Sequence, residues 1–264
     1  MERATVRLGS EVRERGALEN KIRRIVGIAS GIATHLLFAV TVCYLFLFLS
    51  GSLAPHRGPL WIDLLLALQF AVSHSLLLHP AIRRRLEPWI GRSFYGLFFC
   101  AVTCGSLLLT FAWWRTSSVV VWEFHAWPSH FARWAFFGSW VALFYSLHLS
   151  GLTWQTGLTP WWQWVQGKPA PQRTFRETGL YRWFRHPIYL SFLGLIWFTP
   201  RLSLDHALLT AVWTFYIFLG SWLKDRRLEY YMGDTYREYE ARVPGYPLMV
   251  SGPLGKRQVP STAA

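Results

Sequence analysis

The stretch IVGIASGIATHLLFAVTVCYLFLFL, residues 25–49, decides the fold class. It contains no Asp, Glu, Lys or Arg and exceeds the ~20 residues a helix needs to cross a bilayer. Five further apolar runs follow, at 60–78, 94–114, 131–150, 188–204 and 207–223. Hydrocarbon offers no hydrogen-bond partner to a peptide group, so such runs fold as helices that satisfy their own backbone. The expectation is an all-α, polytopic integral membrane helical bundle of about six spans. The fifth run is short and is interrupted by Pro200 and Arg201, so it is expected to form half of a helical hairpin with the sixth.

Charge orients the bundle. The net charge is +13, a value that by itself would suit a nucleic-acid partner. Its distribution points elsewhere. Of 27 Lys and Arg, 23 fall in the alternate segments 1–24, 80–93, 151–187 and 224–264. The intervening segments hold only Arg57, Arg115, Arg133 and Arg201. That is the positive-inside pattern, and it places both termini in the cytoplasm. The basic excess reports topology and contact with anionic membrane lipids, with no nucleic acid as partner. No cleavable signal is expected, because residues 1–24 are charged and the first run is too long for a signal core.

Four regions follow: a basic arm (1–24), a four-span scaffold (25–150), a cofactor-binding catalytic region with two further spans (151–250) and a disordered tail (251–264). The segment 115–130 is Trp-rich and reads as an interfacial belt. The loop 151–185 carries Trp154, Trp161, Trp162, Trp164, Gln155, Gln163 and Gln166. Its tryptophans read as interfacial anchors, and its length marks it as a binding loop. Residues 221–243 alternate charged and apolar positions and are expected to continue the sixth span as one amphipathic helix, stopped by Pro244 and Gly245.

Cys43, Cys100 and Cys104 lie inside apolar runs without a metal-ligand spacing, so they read as packing residues and no metal is expected. His35, His74 and His148 lie in or near spans. Haem ligation is one reading of them, and hydrogen-bonded core histidines the other. His74, flanked by Ser73 and Ser75, is the best placed for a membrane pocket.

Two polar segments at the same predicted face carry the chemistry. The first is GLYRWFRHPIYL, residues 179–190, with Arg185, His186 and Tyr189 around a Pro187 that sets the backbone as it enters the membrane. The second runs from Lys224-Asp225-Arg226-Arg227 to Tyr239. A carboxylate so close to a membrane is paired or functional, and Asp225 is an acceptor for ribose hydroxyls or an amino group. Alternatively, both segments are topological anchors with local ion pairs.

These segments resemble the isoprenylcysteine carboxyl methyltransferase-like superfamily in Gly179, Tyr181, Arg185-His186-Pro187, Tyr189, Asp225, Leu228, Gly233, Tyr236, Tyr239 and Val243-Pro244. The earlier half is similar to methanethiol S-methyltransferases and NnrU-type membrane proteins in His74-Ser75, Arg92-Ser93 with Tyr95, and Val121-Trp122. The resemblance implies S-adenosylmethionine-dependent methyl transfer to a small or lipid-borne thiol or carboxylate, methanethiol-type first. It implies a cofactor pocket lined by Tyr181, His186, Pro187, Ile188, Tyr189 and Asp225, with Gln166 and residues 173–176 on a covering loop. Arg185 and His186 are the catalytic candidates, since an acceptor thiol must lose its proton. Three positions depart from the pattern: Lys224 replaces an acid, Ser191 replaces a small Gly, and residues 147–155 lack an acid. The alternatives are an NnrU-type accessory or haem-dependent isomerase, and an NADPH-dependent sterol-type reductase.

Overall fold

A computed structural model describes residues 2–53, 57–169, 177–249 and 251–256, with side chains from residue 13 onward. The chain is an all-α membrane protein. Its helices are α1 (Glu2–Leu49), α2 (Leu60–Leu78), α3 (Pro80–Ile90), α4 (Tyr95–Trp113), α5 (Ala126–Ser150), α6 (Leu152–Gln155), α7 (Leu158–Val165), α8 (Pro187–Trp197), α9 (Leu204–Met232) and α10 (Asp234–Arg242). Two short strands, β1 (Val120–Glu123) and β2 (Arg201–Ser203), pair antiparallel. Among the described residues, four helices are long and apolar enough to cross a membrane: 13–49 of α1, α2, α4 and α9. The predicted fourth run is α5, which starts at Ala126 rather than 131 and carries His130 and Arg133 in its first turns.

Local sequence explains the breaks. His79 precedes Pro80 and adopts an extended φ of −69° and ψ of 130°, which ends α2. Pro80 then opens α3, where its missing N–H is not needed, and the His79 ring accepts from Ala81 N at 3.3 Å. α3 carries Arg83, Arg84 and Arg85.

The core is aromatic and aliphatic. Leu45, Phe48, Phe111, Trp114, Trp140, Leu195, Leu209 and Trp213 belong to one buried cluster. Between α2 and α4 the packing includes polar contacts: Gln69 donates to Ser106 O at 2.8 Å and accepts from Ser106 Oγ at 2.8 Å. Such interhelical hydrogen bonds supply direction where apolar packing against lipid-like neighbours does not.

Three expectations change. The fifth run is not a full span. α8 has 11 residues, about 16 Å of helix against a hydrocarbon core of ~30 Å. Residues 198–203 continue it as extended chain, because Pro200 cannot donate to a helix, and β2 gains its backbone partners from β1. The helical continuation of α9 breaks at Gly233, with φ 57° and ψ −130°, so α10 folds back instead of running on. The loop tryptophans are not all interfacial anchors. Trp161 is buried and donates to Gly27 O at 2.8 Å. A Cβ on Gly31 would lie 2.0 Å from Trp161, and one on Gly27 2.4 Å from Trp164. The two glycines of α1 are the sockets that dock α7.

Candidate active site

The site forms where the chain entering α8 meets the end of α9 and α10. His186 is the residue before Pro187, which occupies the first position of α8. Arg185 N donates to Pro244 O at 2.9 Å and His186 N to Gly245 O at 3.1 Å, so the segment after α10 lies along the motif. Both side chains are buried, at 1% and 0% exposure. The Arg185 guanidinium donates to Asp225 Oδ2 at 3.0 Å and to the carbonyls of Glu240, Val243 and Gly255 at 3.2, 2.9 and 3.2 Å. His186 Nε2 donates to the same Asp225 Oδ2 at 3.0 Å, and Tyr236 donates to Oδ1.

Asp225 is therefore the hub of a buried network, with three of its roughly four acceptor positions filled by protein donors. The fold-back at Gly233 makes this possible, because it returns Tyr236 to a residue that a straight helix would leave about 16 Å away. Tyr239 donates to Tyr181 O at 2.5 Å and ties α10 to the 3-10 turn Gly179–Arg182.

The structure brings Arg185, His186, Pro187, Tyr181, Tyr189 and Asp225 close to one another. Ile188 packs against the apolar core. Gln166 is exposed at the end of α7, and its side chain forms no hydrogen bond to the cluster among the described residues. Residues 173–176 lie outside the described residues. Lys224, the departure from the family pattern, places its ammonium 5.6 Å from the ring centres of both Tyr181 and Tyr189. It also donates to Arg185 O at 3.4 Å.

Sequence reasoning missed two tyrosines. Tyr246 pairs with Ser221 at 2.5 Å and packs on the His186 ring at 5.4 Å. Tyr216 bonds His74 Nδ1 at 2.7 Å and accepts from Ser75 at 3.3 Å. Tyr216, Gly220 and Lys224 stand four residues apart on one face of α9, a spacing legible in the sequence. His35 bonds Gly31 O of its own helix at 2.7 Å, the core-histidine reading.

Burial pushes the His186 imidazole down to about 4, with the Asp225 carboxylate opposing that shift. Its tautomer follows from geometry: Nε2–H faces Asp225, and Nδ1 carries a lone pair with no hydrogen-bond partner among the described residues. The unfolded imidazole titrates near 6.5, so this contribution to stability is complete above that pH and is lost between about 6.5 and about 4. The loss amounts to roughly 3 kcal/mol. Unfolding midpoints of the detergent-solubilised protein should drop between neutral pH and about pH 5, and His186→Gln should remove part of that drop. An identical drop in the variant would assign the effect to other groups.

Known proteins resemble this chain along most of its length. It is 34% identical over 244 residues to methanethiol S-methyltransferase 1 of Bradyrhizobium diazoefficiens, covering 85% of this chain and 82% of the relative. It is 28% identical over 233 residues to the methanethiol S-methyltransferase of Mycobacterium tuberculosis, covering 84% and 96%. Nurim of Mus musculus is 29% identical over 190 residues, covering 67% and 71%. No protein-family model and no solved structure matches the chain. With that identity along most of both chains, and with the motif residues gathered into one buried site, the chain belongs to the methanethiol S-methyltransferase family of membrane methyltransferases.

Proposed function

We propose that this protein transfers a methyl group from S-adenosylmethionine to a small thiol of the methanethiol class, from a site on the basic face of a bacterial inner membrane. The distribution of Lys and Arg supports that orientation, with both termini cytoplasmic. When bound, the donor supplies a sulfonium methyl that already carries a good leaving group, so the protein's task is positioning.

The observation that carries the reading is the cation held between Tyr181 and Tyr189, beside the buried Asp225 network. Two aromatic faces around a positive group are the chemistry that recognises a sulfonium. The Lys224 ammonium, mobile on its long stem, suits the donor's carboxylate. His186 adds a buried nitrogen lone pair. The residues fit the donor without Asp225, whose carboxylate positions Arg185 and His186.

An apolar cavity of about 510 Å³ lies between α5 and α8. Gly138, Ser139, Leu180, Phe184, Pro187 and Ser191 are among its walls. It adjoins the motif backbone, and its apolar lining suits a small thiol, or a lipid-borne one, entering from the membrane. His186 directly precedes Pro187 of the cavity wall, and Asp225 holds its imidazole in the tautomer that leaves the Nδ1 lone pair as the base candidate for the acceptor thiol. Arg185 clamps the segment after α10 against the motif.

Calorimetry on the detergent-purified protein tests this, with NADPH as the control. Micromolar S-adenosylmethionine binding is expected, with none for NADPH. Lys224→Ala and Tyr189→Ala should each weaken binding about tenfold, the size of one charge-assisted contact. Binding of NADPH alone, or unchanged affinity in both variants, would overturn the assignment.

A further inference from the structure

We propose that a second cavity, at the far end of the α5–α8 pair, binds the phosphate group of an anionic membrane lipid. Its volume is about 420 Å³, and Glu123, His125, Ser129, His130, Arg133 and Arg201 are among its lining residues. α8 separates it from the active site: His186 precedes the helix, and Arg201 follows it in β2. It therefore lies at the other end of α8 from the motif.

The charges converge without an internal partner. Only four Lys or Arg lie outside the four basic segments of the chain, and two of them, Arg133 and Arg201, meet here. Glu123 is the cross-strand partner of Arg201 in the β1–β2 pair. Even so, neither guanidinium forms an ion pair among the described residues. His125 and His130 add ring N–H donors even when neutral, and Ser129 adds a hydroxyl. Glu123 is the one opposing carboxylate in the lining. The sum is a concave donor surface that favours a compact, multiply accepting anion, and guanidinium pairs match phosphate geometry.

The setting identifies the source of that anion. Beside Arg133 on α5, Trp127, Phe131 and Trp134 are 75%, 62% and 75% exposed. An aromatic girdle of this kind marks the headgroup level of a bilayer, where lipid phosphate is the concentrated anion. A phosphate seated here would bridge the start of α5 to β2, and so brace the β1–β2 pair.

Native mass spectrometry of the full-length protein in detergent tests the site, with phosphatidylglycerol, phosphatidylcholine and inorganic phosphate as probes. The wild type should retain phosphatidylglycerol in preference to phosphatidylcholine. Arg133→Gln/Arg201→Gln should weaken that retention about thirtyfold. Glu123→Gln, which removes the opposing charge, should strengthen it. Inorganic phosphate that binds the wild type, fails on the double variant and displaces the lipid would support the phosphate chemistry and name the free anion as its source. Equal phosphatidylglycerol retention in the wild type and the cavity double variant, with both folded, would overturn the proposal. Methyl transfer is not part of this readout, so the two proposals fail independently.

Discussion

Asp225→Ala should lower the stability of this protein by about 3–5 kcal/mol, the effect of stranding a buried charge. The substitution leaves the Arg185 guanidinium at 0% side-chain exposure with three carbonyls and without the carboxylate that pairs with it. It also strips His186 Nε2 and Tyr236 of their acceptor. Losing that acceptor releases α10, because Tyr236 is a main tie between α10 and the end of α9. Thermal unfolding in detergent reads the stability, and limited proteolysis reads whether residues 233–256 detach first. Tyr236→Phe removes one hydrogen bond to a charged group and should cost less, about 1.5–3 kcal/mol. Replacing both charges, as Arg185→Met/Asp225→Leu, should recover part of the loss, because no charge is left unpaired. A wild-type unfolding midpoint for Asp225→Ala would show that the network is not a structural hub.

Gly157→Ala should be the most damaging single-methyl change outside the site. Gly157 has φ +80°, and an added Cβ would lie 2.4 Å from Leu97 N and 2.5 Å from Gly96 C. Those neighbours are backbone in the first turn of α4 and cannot move aside. The left-handed conformation costs an L-residue about 1–2 kcal/mol, and overpacking adds roughly 1–3 kcal/mol. Gly167→Ala separates the two contributions. Gly167 has φ +69°, and an added methyl group there would meet nothing within 4 Å, so it carries the backbone penalty alone. The difference between the two unfolding midpoints measures the close approach of α4 to the α6–α7 turn. Equal destabilisation in the two variants would mean that this contact relaxes freely.

Much of the architecture was legible before folding. Composition places the chain in a membrane, because the apolar runs match the thickness of hydrocarbon and backbone groups there must pair locally. The motif residues were legible as well, since Arg185, His186, Asp225 and Tyr236 stand at spacings that mark a polar site beside a span. Their roles were not. On paper Asp225 looks like a ligand for hydroxyls, whereas in the fold three protein side chains reach it first. Likewise Lys224 reads as a lost acid, and in space it is the cation between two tyrosines.

Local pattern alone therefore decided which segments are helical and apolar, and where Pro80 and Pro200 interrupt them. These features depend on solvent, on backbone sterics and on neighbours one or two turns away. Tertiary contacts decided that the fifth run is a half-helix completed by a strand, that α10 folds back at Gly233, and that Trp161 docks on α1 rather than on lipid. Two of these rest on partners far apart in the chain: β1 meets β2 across the whole of α5 to α8, and Trp161 meets Gly27 at a separation of 134 residues. Tyr236 reaches Asp225 across only 11 residues, but only because the helix breaks between them. No periodicity along the chain encodes which distant surface will satisfy a buried indole or an unpaired strand edge.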